Sequence, residues 1–177
     1  MRTPQEYIRI AARKIDVHQD QLRLKLYVNN YNDGHQNFTL TDSWTNWCMY
    51  GEAGPDNKGL YQSINLTLQK RTGTSGDGEY WHIIHQFKLT PFPDCCGIVI
   101  SHAASTDWNH RNKGLNTLFN QLRRELATTF GYSSMICTDV ADNEPEVKTL
   151  NRAGFSHIHQ FHNKRSNNNV NVSVVAV

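Results

Sequence analysis

The sequence predicts one domain of the α+β class, with a mixed and mostly antiparallel sheet of about six or seven strands flanked by helices in a sandwich. Three observations support this prediction. The 177 residues suffice for one compact core but are few for two. Several runs in the first half alternate apolar and polar residues, as half-buried strands do. In the second half, apolar runs and helical repeats follow one another as strand, helix, strand, helix and strand.

The chain opens with a predicted helix and strand. Residues 3–15 carry apolar side chains at helical spacing, with Thr3 as a capping residue and Pro4 in the first turn. Residues 22–28 alternate with the two-residue period of a strand that has one face in the core. A loop is expected at residues 29–34.

A hairpin is predicted in the middle of the chain. Residues 60–70 and 80–89 alternate again, and the glycine-rich segment 73–78 between them indicates an antiparallel pair. Aromatic residues at 3,4 spacing predict a short helix at 41–50, followed by a turn-rich segment. On the second strand of the hairpin, one face is expected to carry Trp81, Ile83, His85, Phe87 and Leu89.

The second half predicts alternating elements. Residues 95–100 read as a strand buried on both faces and are followed by a polar loop. Apolar residues repeat at helical spacing over 112–130, and Gly131 ends that helix. The remaining predictions are a strand at 134–138, a helix at 144–152 with Asn143 as cap, and a terminal strand pair at 156–161 and 170–177.

Composition sets wide limits on partners. The formal net charge is only +2 and the basic residues are scattered, so a nucleic acid is an open alternative that charge does not favour.

We expect a cytoplasmic protein without membrane contact, because the N-terminus lacks a secretory leader and no apolar run is long enough to span a bilayer. Segment 170–177 is expected to form a sheet edge through which a homodimer could form. The adjacent Cys95 and Cys96 suit neither a disulfide framework nor a metal knuckle, which indicates reduced thiols.

The most specific motif lies at 106–117, between a predicted buried strand and an amphipathic helix. It resembles the pyrophosphate loop of the GNAT (Gcn5-related N-acetyltransferase) family, whose pattern is Gln or Arg, two residues, Gly, one residue, and Gly or Ala. Arg111 and Gly114 match this pattern, whereas Asn116 departs from it. The closing segment 148–155, which ends in Gly-Phe, extends the resemblance, so that it covers residues 95–161 and is similar to small viral and bacterial acyltransferases.

The resemblance implies a domain over 1–177, with a cofactor half at 95–161 and a probable acceptor half at 1–90. It implies acetyl-coenzyme A as cosubstrate and an amine as acceptor. Helix electrostatics supports a cofactor site at the same place, because the free N–H groups and the dipole at a helix N-terminus favour binding of a diphosphate. A backbone N–H of the strand end would polarise the thioester carbonyl. The expected cofactor-binding residues are Ala104, Ser105, Thr106, Arg111, Asn112, Lys113, Gly114, Leu115, Asn116, Thr117 and Asn143.

Proton transfer is less well specified by the sequence. His102 is the first candidate for the general base, because it ends the central strand and titrates in the useful range, and Asp107 and Glu52 are weaker candidates. A structural role for His102 is the alternative. The family often supplies the acid from a Tyr four residues before the Gly of Gly-Phe, and here that position is Leu150. A GNAT-shaped module without catalysis and an enzyme acting on a nucleic-acid base are the rival interpretations.

Other constellations have simpler explanations. The histidines at 82, 85, 157, 159 and 162 lack a Cys or carboxylate at ligand spacing, so we expect no metal and assign them to polar strand faces. The aromatic residues at 44, 47, 50, 61 and 81 fit core packing better than an acceptor pocket. Arg123, Arg124 and Glu125 are expected on the solvated face of their helix.

Overall fold

The computed structural model describes most of the chain, namely residues 1–30, 34–41, 44, 63–92, 97–129 and 131–177. Within these residues the α-helices are α1 (Pro4–Ile15), α2 (Leu115–Thr129) and α3 (Glu144–Arg152). None of the described helices is both long and apolar enough to cross a membrane.

The described strands are β1 to β8 in chain order, and they form one sheet with the spatial order β2-β1-β3-β4-β5-β6-β8-β7. Neighbouring strands are antiparallel except for β5 and β6, which are parallel because α2 crosses over between them. The predicted α+β class with a mostly antiparallel sheet is confirmed. The strands span Leu22–Asn30, Gly34–Leu40, Ile64–Ser75, Gly78–Pro91, Ile98–Thr106, Ser134–Val140, Ser156–Asn163 and Asn168–Ala176.

The three helices pack on one face of the sheet. Helix α2 contacts β4, β5 and β6, and it is flanked by α1 and α3. Its apolar stripe, represented by Phe119 and Leu122, meets Phe87 of β4, while Tyr7 and Ile8 of α1 close the adjoining part of the core. The core therefore lies between one sheet face and the helical layer, and α2 occupies its centre.

The first half departs from the predicted pattern at two places. The expected loop at 29–34 is wrong, because β1 reaches Asn30 and Gly34 begins the unpredicted strand β2. In the hairpin, β4 carries an extra residue at Ile84, since Leu68 pairs with His85 and Gln69 with Ile83. This bulge leaves Ile83 39% exposed and buries Ile84 fully, so the predicted single face from Trp81 to Leu89 is wrong.

The second half also differs in detail. Strand β5 continues through the predicted polar loop to Thr106, and α2 begins at Leu115 instead of residue 112. The expected edge strand is wrong, because β8 lies between β6 and β7 and has both sides paired. Among the described strands, β2 and β7 form the edges of the sheet, so β8 gives no support to a homodimer. Most of the predicted helix at 41–50 lies outside the described residues, as do Cys95, Cys96 and the candidate base Glu52.

Candidate functional site

Strands β5 and β6 separate from each other partway along their length. They are paired from Ile98 with Ser134 as far as Ser101 with Cys137. Beyond this point β5 pairs only with β4 and β6 only with β8. The two facing edges are left without ladder partners among the described strands, and a wedge-shaped opening results. Such an edge offers N–H and C=O groups to an extended ligand.

A second irregularity lies on the β5 side of this opening. Gln86 pairs with Ser105 and Lys88 with His102, so two β5 residues, at positions 103 and 104, face a single β4 residue. A bulge of this kind redirects the backbone groups around it. It falls at the start of the segment from Ala104 to Thr106, where the resemblance implies an N–H directed at the thioester carbonyl. Cross-strand bonds hold this segment, from Gln86 Nε2 to Ser105 Oγ (3.0 Å) and between His85 Nδ1 and Thr106 Oγ1 (2.8 Å).

The turn after β5 is organised by Asp107. Its carboxylate accepts a hydrogen bond from the Asn109 N–H (3.2 Å) and lies 2.9 Å from His110 Nδ1 and 3.4 Å from His82 Nε2. The hydrogen bond with His110 is the main reason that the pKa of Asp107 lies below its ordinary value. A carboxylate held in its anionic form by these partners is a weak proton acceptor, so its visible role is to shape the turn.

Arg111 and Gly114 shape the segment that connects this turn to α2. The Arg111 guanidinium lies 4.8 Å from the centre of the Trp108 ring, and its Nε donates to the Thr106 carbonyl (3.3 Å). Asn112 and Gly114 both have left-handed backbone conformations, with φ values of 60° and 74°. The exposed Lys113 lies between them. Glycine suits the second of these positions because it adopts positive φ without steric cost.

The N-terminus of α2 is open. Its first intrahelical bond runs from the Leu118 N–H to the Gly114 carbonyl (3.2 Å), so the N–H groups of residues 114–117 precede the helical ladder. No acceptor for these four groups is found among the described residues, and Gly114 has no side chain with which to cap them. Free N–H groups at the positive end of a helix dipole fit a diphosphate.

Lys14 adds a cation that sequence reasoning missed. A Cβ atom placed on Gly114 would lie 3.0 Å from Lys14 Nζ, so the ammonium group at the end of α1 rests against the turn that opens α2. No local sequence signal connects these residues, because they are distant in the chain and meet only through the packing of α1 against α2. The open N-terminus therefore has Arg111, Lys113 and Lys14 near it, which fits an anionic group.

Asn116, the departure from the family pattern, faces α3. Its Nδ2 donates a hydrogen bond to Glu146 Oε2, which ties the first turn of α2 to the first turn of α3. The side-chain amide is thus engaged within the protein, while the backbone N–H of Asn116 is among the open groups. Asn143 precedes α3 at the capping position, but its exposed side chain makes no capping bond and is free to contact a ligand.

Arg123 corrects a prediction. It was expected on the solvated face of its helix, yet it is fully buried, and its Nη1 donates to Ser101 Oγ (2.8 Å) at the last pair before the strands separate. The spacing contains a signal for this placement, because Arg123 lies four residues after Phe119 and eight after Leu115 and therefore continues the apolar stripe. Its charge acts on Cys137 and Glu146, so a buried guanidinium occupies the apex of the wedge.

His102 lies on the sheet face opposite the helices. It pairs with Lys88, and its Nε2 is 3.0 Å from Thr90 Oγ1. Partial burial, together with the charge of Lys88, lowers the pKa of His102, so the ring is neutral near pH 7 and is available as a base. Leu150, at the position of the usual acid, is 1% exposed and apolar.

His85 corrects the assignment of the histidines to polar strand faces. It is 1% exposed and stacks on Phe119 of α2, with 4.5 Å between ring centres. Burial lowers the pKa of His85 to about 3. Within the part of the chain that the structure covers, no three His, Cys, Asp or Glu side chains are grouped to hold a metal ion.

The structure brings residues 104–117 together around the opening of α2, whereas His102 lies across the sheet from it and Asn143 at the start of α3. Glu52 lies outside the described residues. A separate cavity of about 160 Å³ lies beneath α3, on the far side of β6 from the wedge, with Asp139, His157 and Asn171 in its lining.

Comparison with known proteins identifies the fold. No protein-family model matches the chain, and no curated protein sequence does. Among solved structures, the chain is similar to the IAA acetyltransferase from Bacillus cereus (TM-score 0.54, 10% identity, covering 65% of this chain and 78% of that one). It is also similar to an acetyltransferase of the GNAT family from Streptococcus pneumoniae (TM-score 0.51, 16% identity, covering 65% of this chain and 66% of that one). A third similar structure is yncA from Salmonella typhimurium, solved with its cofactor acetyl-CoA (TM-score 0.50, 12% identity, covering 64% of each chain).

These identities are too low to carry residue roles or substrates across, and the aligned regions span just under two thirds of the Streptococcus and Salmonella chains. What they share with this chain is the architecture of the sheet and helices. This chain therefore has the GNAT fold.

Proposed function

We propose that the protein is an N-acetyltransferase that moves an acetyl group from acetyl-coenzyme A to an amine by direct attack in a ternary complex. The observation that carries the proposal is the open N-terminus of α2 beside the wedge between β5 and β6. The N–H groups of residues 114–117, with Lys14, Arg111 and Lys113, would hold the diphosphate, and the wedge would receive the extended arm.

The remaining roles follow from position. The bulged segment from Ala104 to Thr106 would present a backbone N–H to the thioester carbonyl, where negative charge develops as the amine attacks. His102, neutral near pH 7, is the proposed acceptor of the proton that the amine loses. Attack forms the C–N bond, and collapse breaks the C–S bond with the electron pair going to sulfur.

Binding and turnover test the proposal separately. Isothermal titration with coenzyme A and acetyl-coenzyme A should give saturable binding, and absence of saturation at millimolar ligand would remove the idea. Thiol release should then be followed with a panel of primary amines that includes lysine amide, spermidine and aminoglycosides. Binding without release for any amine would favour the rival interpretation of a module that has lost catalysis.

A second candidate acceptor is a nucleic-acid base, because basic and aromatic side chains are paired on the sheet face that carries His102. The guanidinium of Arg23 lies 4.1 Å from the centre of the Trp81 ring, and Lys25 Nζ lies 5.7 Å from that of Tyr27. Lys88 adds a further positive charge next to His102. Cations and aromatic rings together suit single-stranded nucleic acid, whose bases stack and whose phosphates are anionic.

Acetyl transfer to oligonucleotides distinguishes the two acceptor classes. Single-stranded oligomers that contain adenine or cytosine have exocyclic amines, whereas an oligomer of thymine has none and is the matched control. Mass gain in the first two and none in the third would support a base acceptor. Equal absence of transfer in all three, together with turnover of a small amine, would exclude it.

A further inference from the structure

Polar atoms without partners are concentrated inside the protein beside the wedge. Within the described part of the chain, several buried nitrogen and oxygen atoms near α2 and α3 have no hydrogen-bond partner. A buried polar atom without a partner costs about 1 to 3 kcal/mol, so a group of them indicates a function other than stability. The atoms are Asn116 Oδ1, both side-chain polar atoms of Asn120, Arg123 Nε and Nη2, Glu146 Oε1 and His85 Nε2.

Glu146 is the titratable carboxyl in this group. One of its oxygens accepts from Asn116 Nδ2, which fixes the side chain against the first turn of α2. The other oxygen, Oε1, is buried and unpaired. The carboxyl is therefore held in place at one oxygen, while the other oxygen has no partner among the described residues and keeps its capacity to carry a proton for a bound group.

Its position on α3 is informative. Glu146 lies four residues, one helical turn, before Leu150, so the two side chains point from the same face of the helix. Position 150 is where the resemblance implies a proton donor, and in this chain it holds a buried apolar residue. The carboxyl one turn earlier is nearer to the open end of the wedge, because α3 starts just after β6 ends.

Charged groups on each neighbouring element set the protonation of Glu146. Burial raises its pKa and is the largest influence. The guanidinium of Arg123 on α2 and the hydrogen bond from Asn116 oppose that change, and the carboxylate of Asp139 on β6 adds to it. Cys137 on β6 also faces this region, and burial raises the pKa of its thiol to about 11, so it is uncharged. The balance raises the pKa of Glu146 and increases its protonated fraction.

We propose that Glu146 donates the proton that the sulfur of coenzyme A takes up when the thioester is cleaved, an inference that rests on the proposed function. The amine nitrogen forms the C–N bond, and the C–S bond breaks with its electron pair going to sulfur. Sulfur takes the proton from Glu146 Oε1 and leaves as a thiol, while the amine loses its proton to His102. Exchange with water then returns a proton to the Glu146 carboxylate and removes one from His102.

The test compares two carboxamide variants on the same helix. Glu146→Gln keeps the size of the side chain and an oxygen for Asn116 but has no acidic proton. Glu144→Gln is the matched control, since Glu144 lies two residues before Glu146, is exposed on another side of α3 and pairs with Lys148 at the surface (3.0 Å). Turnover is measured as thiol release from acetyl-coenzyme A with the best amine of the panel, between pH 6 and pH 9. Affinity for coenzyme A is measured by titration calorimetry.

We expect Glu146→Gln to lower kcat by about a hundredfold with KM for acetyl-coenzyme A unchanged. In the wild type, kcat should fall as pH rises through the pKa of the acid, and this basic limb should be absent in Glu146→Gln. Glu146→Asp should recover part of kcat and the limb, and Glu144→Gln should behave as the wild type.

Three results would overturn the inference. The first is an unchanged kcat in Glu146→Gln, and the second is a basic limb that persists in that variant. The third is a loss of turnover that tracks a loss of coenzyme A affinity, which would assign Glu146 a structural role. Failure of the proposed function looks different, because the wild type itself would release no thiol with any amine.

Discussion

The N-termini of α1 and α2 differ in whether the protein pairs their free backbone N–H groups. At α1, the Thr3 hydroxyl accepts from the Glu6 N–H (3.2 Å) and the Glu6 carboxylate accepts from the Thr3 N–H (2.7 Å), with Pro4 in the first turn. At α2, the residue before the helix is Gly114, and the N–H groups of residues 114–117 have no acceptor among the described residues. One end is closed by its own side chains, and the other is open.

The difference shows how a chain distinguishes a structural end from a binding end. A capping box stabilises a helix by pairing two N–H groups locally. An open end forgoes that stabilisation, and here it is surrounded by the cations Lys14, Arg111 and Lys113 in place of a carboxylate. The N–H groups at the start of α2 are therefore available to an anionic ligand, as the proposed function requires, whereas those capped at the start of α1 are satisfied within the protein.

The largest effect is expected from a negative charge placed at the open N-terminus of α2. Gly114→Asp places a carboxylate where the diphosphate is proposed to bind, and like charges in contact cost several kcal/mol. We expect affinity for coenzyme A to fall by about a hundredfold, measured by titration calorimetry. Gly114→Asn is the matched control, because it has the same shape and tolerates positive φ but is neutral. Equal affinities for the two variants would show that no anion binds at this turn.

The pH dependence of stability that His85 contributes is expected to be the next largest effect, since this ring stacks on Phe119 and is hydrogen-bonded with Thr106 beside the open end. The folded pKa is lowered to about 3 from an ordinary 6.5, so the folded state resists protonation that the unfolded chain accepts. The stabilisation is complete above the ordinary value and is lost as pH falls towards the folded value. Between pH 7 and pH 5, the contribution of His85 to the free energy of unfolding should decline by about 2 kcal/mol.

Denaturant unfolding of the wild type and of His85→Gln at both pH values measures this change. Glutamine preserves a polar partner for Thr106 and does not titrate, so the stability of the variant should depend less on pH than that of the wild type. Parallel declines in the two proteins would mean that folding does not lower the pKa of His85.

The closed end should respond in stability and not in binding. Thr3→Ala removes the hydroxyl that caps α1 and should lower the free energy of unfolding by about 1 kcal/mol. Thr3→Ser retains the hydroxyl and should restore most of this loss. Coenzyme A affinity should be the same in both variants. A marked fall in affinity with Thr3→Ala would mean that the two helix ends do not act separately.

The same contrast explains what could be predicted from the sequence. The cap of α1 and the turn before α2 depend on neighbouring residues, so Thr3 and Pro4 identified the start of α1. Arg111 and Gly114 located the turn before α2, although the predicted helix began three residues too early. Features that depend on distant partners were missed or misplaced. The bulge at Ile84 arises from pairing with β3, and it reversed the faces expected for Trp81 and Ile83.

Two charged residues, one buried and one partly buried, were missed for a different reason. Arg123 and Glu146 occupy positions at helical spacing from apolar residues, but charged side chains are usually assigned to solvent. The spacing of these two residues from apolar neighbours indicated that they face the interior, whereas their charged side chains indicated that they face solvent. Lys14 had no signal of either kind. The charges that distinguish this site thus depend on tertiary contacts, whereas the loop that carries it is visible in the sequence.

The smallest expected effect concerns Lys14, which joins the two helices under comparison because it ends α1 and rests against Gly114. A cation near a helix N-terminus contributes only modestly to anion binding through solvent, so Lys14→Ala should weaken coenzyme A binding by about two- to fivefold. Arg13→Ala is the matched control, since Arg13 is also exposed in the last turn of α1 but is not found against Gly114. Both variants remove a cation from the C-terminal end of α1 and should change stability alike. The affinity difference between them should shrink as salt is raised, because salt screens exposed charges, and a difference that persists at high salt would mean that Lys14 acts through packing.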